Sequence, residues 1–123
     1  RRTLSLQSVI LLLTLVPIVN FAQQRDFTIA FGSCSRQSDT LQMWREVASL
    51  QPDVWVWGGD NIYGDSHDVQ VMRSKYDIQK NHPGYQALIR KTPVTGTWDD
   101  HDYGVNDGGK YFSKKDEFKK EFI

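Results

Sequence analysis

Residues 52–65 constrain the fold of this 123-residue chain more than any other stretch. After Pro52 and Asp53 come Val54, Trp55, Val56 and Trp57, a run of β-branched and aromatic residues typical of a buried strand. Two glycines end that strand and place Asp60 just beyond it. A strand of this kind needs cover on both faces, which predicts an α/β sheet, and ligands bind such sheets outside the carboxyl ends of the strands.

A second strand of the same design precedes it. Residues 26–31 predict a strand that ends at Gly32 and is followed by Cys34, the only cysteine of the chain. Between the two strands, residues 40–50 have helical spacing, with one apolar face formed by Leu41, Trp44, Val47 or Ala48, and Leu50. Strand, helix and strand make a βαβ unit with parallel strands, so we expect Cys34 and Asp60 to lie close together. A small buried hydrophobic residue is the alternative for Cys34.

The third strand, residues 93–98, is interrupted by Gly96 and leads into Asp99, Asp100, His101 and Asp102. Three acids so close together repel one another, and a bound cation removes that cost. A solvated acidic turn is the alternative. The apolar strand before the cluster favours a metal site at the edge already marked by Asp60.

The remaining helical patterns predict residues that pack in the core or lie on the surface rather than residues that carry out chemistry. Residues 68–81 and 84–91 have helical patterns, Pro83 can start the second of them, and a last helix begins near residue 113. Met72 and Tyr76 are predicted to pack in the core. His67 and His82 are predicted to cap helices or lie on the surface.

The N-terminal residues have the pattern of a secretory signal peptide over residues 1–22. Arg1 and Arg2 precede an apolar run at residues 9–16, and Pro17 and Ala22 follow. Export to the periplasm or the exterior is the prediction, with the general secretory and twin-arginine routes both open and a buried first helix or strand as the alternative. The run is too short for a stable membrane anchor. Balanced charge, 15 basic and 15 acidic residues, gives no footprint for nucleic acid.

The donor types at the three strand ends indicate a site for two metal ions. Asp60 lies between the other groups and could bridge both ions. A thiolate from Cys34 and a phenolate from Tyr63 favour iron or zinc, whereas an oxygen-only second position suits calcium, manganese or magnesium. Two such ions activate water and clamp a phosphoryl group, and His101 could protonate the leaving oxygen.

These motifs resemble the alkaline phosphatase D (PhoD-like) branch of the metallophosphoesterases, across residues 26–112. The resemblance implies an α/β/β/α metallophosphatase sandwich and hydrolysis of small-molecule phosphate monoesters or diesters. It implies an iron(III) site of Cys34, Asp60 and Tyr63, a second metal, often calcium, held by Asp60 and Asp100, and a catalytic His101. Further residues could bind or support a metal: Asp99 as an alternative to Asp100, and Asn61, Asp102 and Asn106.

Members of that family complete the site with ligands from a C-terminal motif, which has no counterpart after Tyr111. The expectation is therefore that residues 26–123 are the N-terminal, βαβ-containing portion of a longer enzyme, and that the isolated chain is weakly stable, binds metal weakly and is inactive. Two alternatives are a phospholipase-like phosphodiesterase on the same fold and a non-catalytic, exported calcium-binding module. A calcium module has no use for the thiol of Cys34.

Overall fold

The computed structural model describes residues 25–40 and 43–122. One or two helices follow each strand, as expected for an α/β domain. The elements are β1 (Ile29–Gly32), α1 (Trp44–Ser49), β2 (Val54–Gly58), α2 (Val69–Asn81), α3 (Pro83–Ile89), β3 (Val94–Thr97), α4 (Asp100–Tyr103) and α5 (Lys115–Phe122). The predicted signal peptide and residues 41 and 42 of the predicted first helix lie outside the described residues.

The three strands form one parallel sheet in the order β1-β2-β3. Gly32 of β1 pairs with Trp57 of β2, and Gly58 pairs with Thr97 of β3. The predicted parallel pairing of the first two strands is confirmed. Because all three strands run the same way, the loops that follow them meet at one edge of the sheet.

One face of the sheet packs against α1 and α3 through a cluster of aromatic residues. Trp44, Trp55 and Trp57 lie edge to face, with ring centroids 5.3–5.4 Å apart. Each such pair stabilises the fold by about 0.5–1.5 kcal/mol beyond the burial of its surface. The Trp57 indole N–H donates to the Tyr85 hydroxyl at 3.1 Å. The core role predicted for Trp44 is confirmed, whereas Leu50 is 68% exposed and does not belong to the apolar face.

The opposite face of the sheet carries exposed apolar side chains. Because side chains alternate along a strand, Phe27, Ile29 and Phe31 point away from the tryptophan cluster, and they are 69%, 57% and 80% exposed. Val54 and Val56 on the same face are half-buried. Within the described residues, the cover expected on both faces of the sheet is therefore present on only one.

A second apolar cluster joins α2 to α5 and includes Ile62 from the loop that follows β2. Its buried members are Ile62, Met72, Tyr76 and Phe118. On the surface of this pair of helices, Arg73 forms an ion pair with Glu121 at 2.7 Å, which lowers the pKa of Glu121. The packing roles predicted for Met72 and Tyr76 are confirmed.

The helix starts follow ordinary capping chemistry. The Asp68 side chain accepts from the Gln70 N–H at the start of α2, and His82 Nδ1 accepts from the Gly84 N–H at the start of α3. The cap role predicted for His82 is confirmed, as is Pro83 as the first residue of its helix. None of the helices in the described part of the chain is long and apolar enough to cross a membrane.

Several details differ from the sequence predictions or decide between their alternatives. β1 begins at Ile29 rather than at residue 26. Gly96 does not interrupt β3; a Cβ there would lie 2.5 Å from the Cβ of Trp57, so glycine lets the two strands approach. The acidic cluster is not a turn but contains the one-turn helix α4, which is too short to give a periodic pattern.

Candidate metal centre

The loops after β1 and β2 are joined backbone to backbone. The Cys34 N–H donates to the Gly59 carbonyl at 3.4 Å, and the Ser35 N–H donates to the Asp60 carbonyl at 3.0 Å. These bonds place the Cys34 sulfur 3.6 Å from Asp60 Oδ2. The predicted proximity of the two residues is confirmed, and the thiol is exposed rather than buried in a core.

Unusual backbone conformations mark the same loops. Cys34, Asp60 and Asp65 have φ values of 57°, 50° and 49°, in the left-handed region that non-glycine residues seldom adopt. Gly59 has φ 102°, and a Cβ there would lie 2.7 Å from the Cβ of Asp99. Such conformations persist only where the surroundings hold them, and they are concentrated at functional sites.

Tyr63 is fixed through its backbone and shares its surroundings with Cys34. Gln37, which is buried, accepts from the Tyr63 N–H at 2.9 Å and donates to its carbonyl at 3.4 Å. The Arg36 guanidinium lies 4.4 Å from the centre of the Tyr63 ring. Burial raises the pKa of the Tyr63 phenol, and contact with Cys34 and the charge of Asp60 raise it further, whereas Arg36 opposes them. A metal cation bound beside the phenol would act in the same direction as Arg36 and favour the ionised form.

His101 is held by an acid and by an aromatic ring. Its Nδ1 lies 2.7 Å from Asp65 Oδ1, and its ring centroid is 4.3 Å from that of Tyr63. The side chain of His101 is 14% exposed, compared with 45% for Asp65. With Nδ1 committed to Asp65, Nε2 is the ring nitrogen that can bind a metal or transfer a proton.

Asp60, Asp100 and His101 come together as a candidate metal centre. Each offers one ligand atom, and these atoms lie within 4.8 Å of one another. Asp60 Oδ1 is buried and has no hydrogen-bond partner among the described residues. A buried carboxylate oxygen without a donor is costly, and a cation would satisfy it. Two carboxylates and an imidazole are suitable ligands for zinc, manganese or iron, so the donor set fits a metal.

Asp102 is buried nearby but has a different environment. It is 3% exposed, and its oxygens accept from five donors on Asn61, Ile62, Tyr76 and Asp99. Burial raises the pKa of Asp102, and the hydrogen bonds counteract that rise by favouring the ionised form. The structure therefore separates Asp102 from the three-residue cluster.

The other residues named as metal candidates have separate positions. Asp99 is the N-cap of α4, where its side chain accepts from the Asp100 N–H at 2.9 Å, and Asp100 is the acid that joins the cluster. Asn61 donates to the Thr97 carbonyl at 3.0 Å, while its buried Oδ1 has no partner in the described part of the chain. Asn106 is exposed and donates to Asp107.

The structure adds supporting residues that the sequence did not single out. Asp65 had no assigned role, although it completes a Gly-Asp…Gly-Asp repeat around Tyr63. Gln37 and Lys75 also had none. The Lys75 ammonium donates to the carbonyls of Tyr63 and Gly64 and so ties α2 to the loop that follows β2. These contacts join residues 11 to 36 positions apart, so a local sequence pattern does not predict them.

Cys34 also lines an open cleft, to which Asp60 does not contribute. The cleft has a volume of about 330 Å³ and is lined in part by Phe31, Arg36 and Met43. Its walls are mostly apolar, and its charged lining residues are Arg36 and Asp39.

Comparison of the chain with family models, with curated proteins and with solved structures gives no match in any of the three. The comparisons therefore neither support nor oppose the resemblance to PhoD-like enzymes.

Proposed function

We propose that the protein carrying this chain is a metal-dependent phosphoric ester hydrolase of the PhoD-like type, with residues 26–123 as the N-terminal portion of an α/β/β/α metallophosphatase sandwich. The observation that carries the proposal is the meeting of Asp60, Asp100 and His101 beside the thiol of Cys34. A buried, unpaired oxygen on Asp60 supports it, because that oxygen needs a cation or a donor.

The donors divide into a sulfur- and phenol-containing side and an oxygen- and nitrogen-containing side. Cys34, Asp60 and Tyr63 would hold iron(III), and Asp60 and Asp100 would hold a second ion, calcium or another divalent metal. When bound, the ions supply Lewis-acid activation of water and neutralise charge on the phosphoryl group. The described donors are fewer than two six-coordinate ions require, so water, substrate or further chain supplies the rest.

His101 would supply the proton for the leaving oxygen. Asp65 Oδ1 lies 2.7 Å from Nδ1, so it would accept the Nδ1 proton and leave Nε2 for the proton transfer. The Tyr63 ring, tilted by 42° to the imidazole with its centroid 4.3 Å away, would limit rotation of the imidazole. The adjoining cleft, with Arg36 at one wall, would accept the organic group of a small phosphate ester.

Colour tests the iron side of the proposal. Metal-free chain titrated with ferric citrate is expected to develop visible absorption from iron(III) bound to the Tyr63 phenolate. Tyr63→Phe is expected to abolish that band. Tyr111→Phe, at a tyrosine that is 88% exposed, is the matched control and is expected to keep it.

Iron binding without a visible band would contradict the assignment of Tyr63. Calcium binding with no iron binding at all would favour the non-catalytic calcium module instead. Hydrolysis of bis(p-nitrophenyl) phosphate by the longer protein, lost in His101→Asn, would establish the reaction class. Comparable hydrolysis by the isolated 123-residue chain would contradict the expectation that this portion alone is inactive.

A further inference from the structure

We propose that Asp102 is a positioning residue rather than a metal ligand: it holds the Asp60 loop against the helix that carries Asp100 and His101. The inference rests on the proposed metal centre, because it concerns the side chains that would bind there. Of the three neighbouring acids, Asp102 shapes the site, Asp99 caps the helix, and Asp100 is left as the acid that joins the metal centre.

The hydrogen bonds of Asp102 leave no room for a cation. Oδ1 accepts from the N–H groups of Asn61 and Ile62 at 3.1 and 3.2 Å and from the Tyr76 hydroxyl at 3.0 Å. Oδ2 accepts from the Asn61 side chain at 2.9 Å and from the N–H groups of Asn61 and Asp99 at 3.1 Å. A carboxylate has about four lone-pair positions, so five donors saturate it.

The same bonds connect the two segments that carry the proposed ligands. Asn61 directly follows Asp60, whereas Asp102 lies in the one-turn helix with Asp100 and His101. Fixing the N–H of Asn61 fixes the peptide group that also contains the Asp60 carbonyl carbon. The distance between Asp60 and the helix is therefore set at Asp102.

The backbone of Asp60 needs such an anchor. Its φ of 50° is unfavourable for a non-glycine residue, by about 1–3 kcal/mol for conformations of this kind. Asp102 holds the next peptide from one side, and the Asn61 amide, donating to the Thr97 carbonyl, ties it to β3 as well. Without Asp102, Asp60 is expected to relax toward an ordinary conformation and to withdraw its buried oxygen from the cluster.

Asp102→Asn provides the main test in the 123-residue chain. The variant keeps the size of the side chain but replaces one acceptor with an amide that faces N–H donors. Manganese(II) affinity, measured from the electron paramagnetic resonance signal of the free ion, is expected to fall about 10- to 100-fold, as is usual when a partner behind a ligand is removed. The measurement is made on folded protein, checked by near-ultraviolet circular dichroism.

Thr92→Val is the matched control. Its hydroxyl donates a buried hydrogen bond to the Pro52 carbonyl at the opposite end of the sheet. The control is expected to lose stability while keeping the wild-type manganese affinity. If Asp102→Asn behaved like this control, with normal affinity, Asp102 would be merely structural and the inference would be wrong.

A further variant and a further measurement test the inference if Asp102→Asn does not fold or the chain does not bind manganese(II). Tyr76→Phe removes only one donor and is expected to lower the affinity less than Asp102→Asn does. Amide hydrogen exchange of metal-free protein reports the loop directly: faster exchange at Asn61 and Ile62 in Tyr76→Phe or Asp102→Asn, but not in Thr92→Val, is the expected result. Unchanged exchange would overturn the positioning role. A wild-type chain that binds no manganese would contradict the metal centre alone.

Discussion

Asp60 and Asp102 are two buried carboxylates in neighbouring segments, with exposed fractions of 8% and 3%, and their surroundings are opposite. Asp102 is surrounded by five donors, whereas Asp60 has a buried oxygen without a partner among the described residues. Burial alone therefore does not identify a metal ligand. The hydrogen bonds around each acid distinguish the one that shapes the site from the one available for chemistry.

The difference has an energetic consequence. A buried polar group left unsatisfied costs about 1–3 kcal/mol, so Asp60 destabilises the metal-free protein, whereas Asp102 stabilises it. The backbone at Asp60, with φ 50°, adds to that cost. Functional sites in natural proteins often lower the folding stability, and a bound cation would restore the stability lost at Asp60.

The largest effect is expected for Asp102→Ala. Removing the carboxylate leaves the N–H groups of Asn61 and Ile62 and the Tyr76 hydroxyl without their acceptor, which is expected to cost about 3 kcal/mol or more. Urea unfolding of metal-free protein measures the loss. Asp99→Ala, at the N-cap of the same helix, is the control and is expected to cost only about 1 kcal/mol. Equal losses would mean that Asp102 does not hold the loop.

A smaller effect is expected for Asp65→Asn, which tests how His101 is held. The amide cannot enforce a proton on Nδ1 in the way a carboxylate does, so both tautomers become populated. Nitrogen-15 chemical shifts of the His101 ring measure this in the metal-free chain. If the proposed full-length hydrolase is used, hydrolysis of bis(p-nitrophenyl) phosphate is expected to fall about 100-fold, the lower range of a general-acid contribution. A single Nδ1-protonated tautomer in the variant would refute the role of Asp65.

The effect at Asp60 is expected to have the opposite sign. Asp60→Asn removes a charge from beside Asp100, so we expect metal-free protein to become more stable by about 1 kcal/mol. The same variant is expected to lose metal binding. Thermal unfolding with and without manganese(II) shows both changes. A destabilised variant would remove the contrast between the two acids.

The smallest effect is expected far from the site, at the Arg73–Glu121 pair. The pair lowers the pKa of Glu121, so its contribution is present above the unfolded pKa of glutamate, near 4.3, and is lost as the pH falls through the lower folded value. Arg73→Ala is therefore expected to reduce stability slightly at pH 7 and not at pH 2. Urea unfolding at both pH values measures the difference, and a loss that persists at pH 2 would indicate packing rather than charge.

Much of the framework could be predicted because it depends on local patterns. The aromatic and β-branched run of β2, its closing glycines and the helix containing Trp44 gave a parallel βαβ unit, and parallel strands bring Cys34 and Asp60 to one edge. The exposure of Phe31 could not be predicted in this way, since the strand pattern does not say what covers each face.

The roles of the acids in the cluster could not be predicted from their order. Neighbouring residues in a helix point about 100° apart, so the direction of each acid depends on how α4 is placed, and its four residues are too few to show a period. The contact between Asp65 and His101 spans 36 positions and arises only in the folded chain. The sequence identified the group, and the fold distinguishes its members.

Anomalous diffraction from crystals grown with manganese(II) is the most direct test of the centre. The central claim is that Asp60, Asp100 and His101 bind a cation while Asp102 does not. The expected result is an anomalous peak among these three side chains, at about 2.0–2.6 Å from an Asp60 oxygen, with the hydrogen bonds of Asp102 intact. A peak on an Asp102 oxygen, or no peak at this edge of the sheet at saturating manganese, would contradict the account.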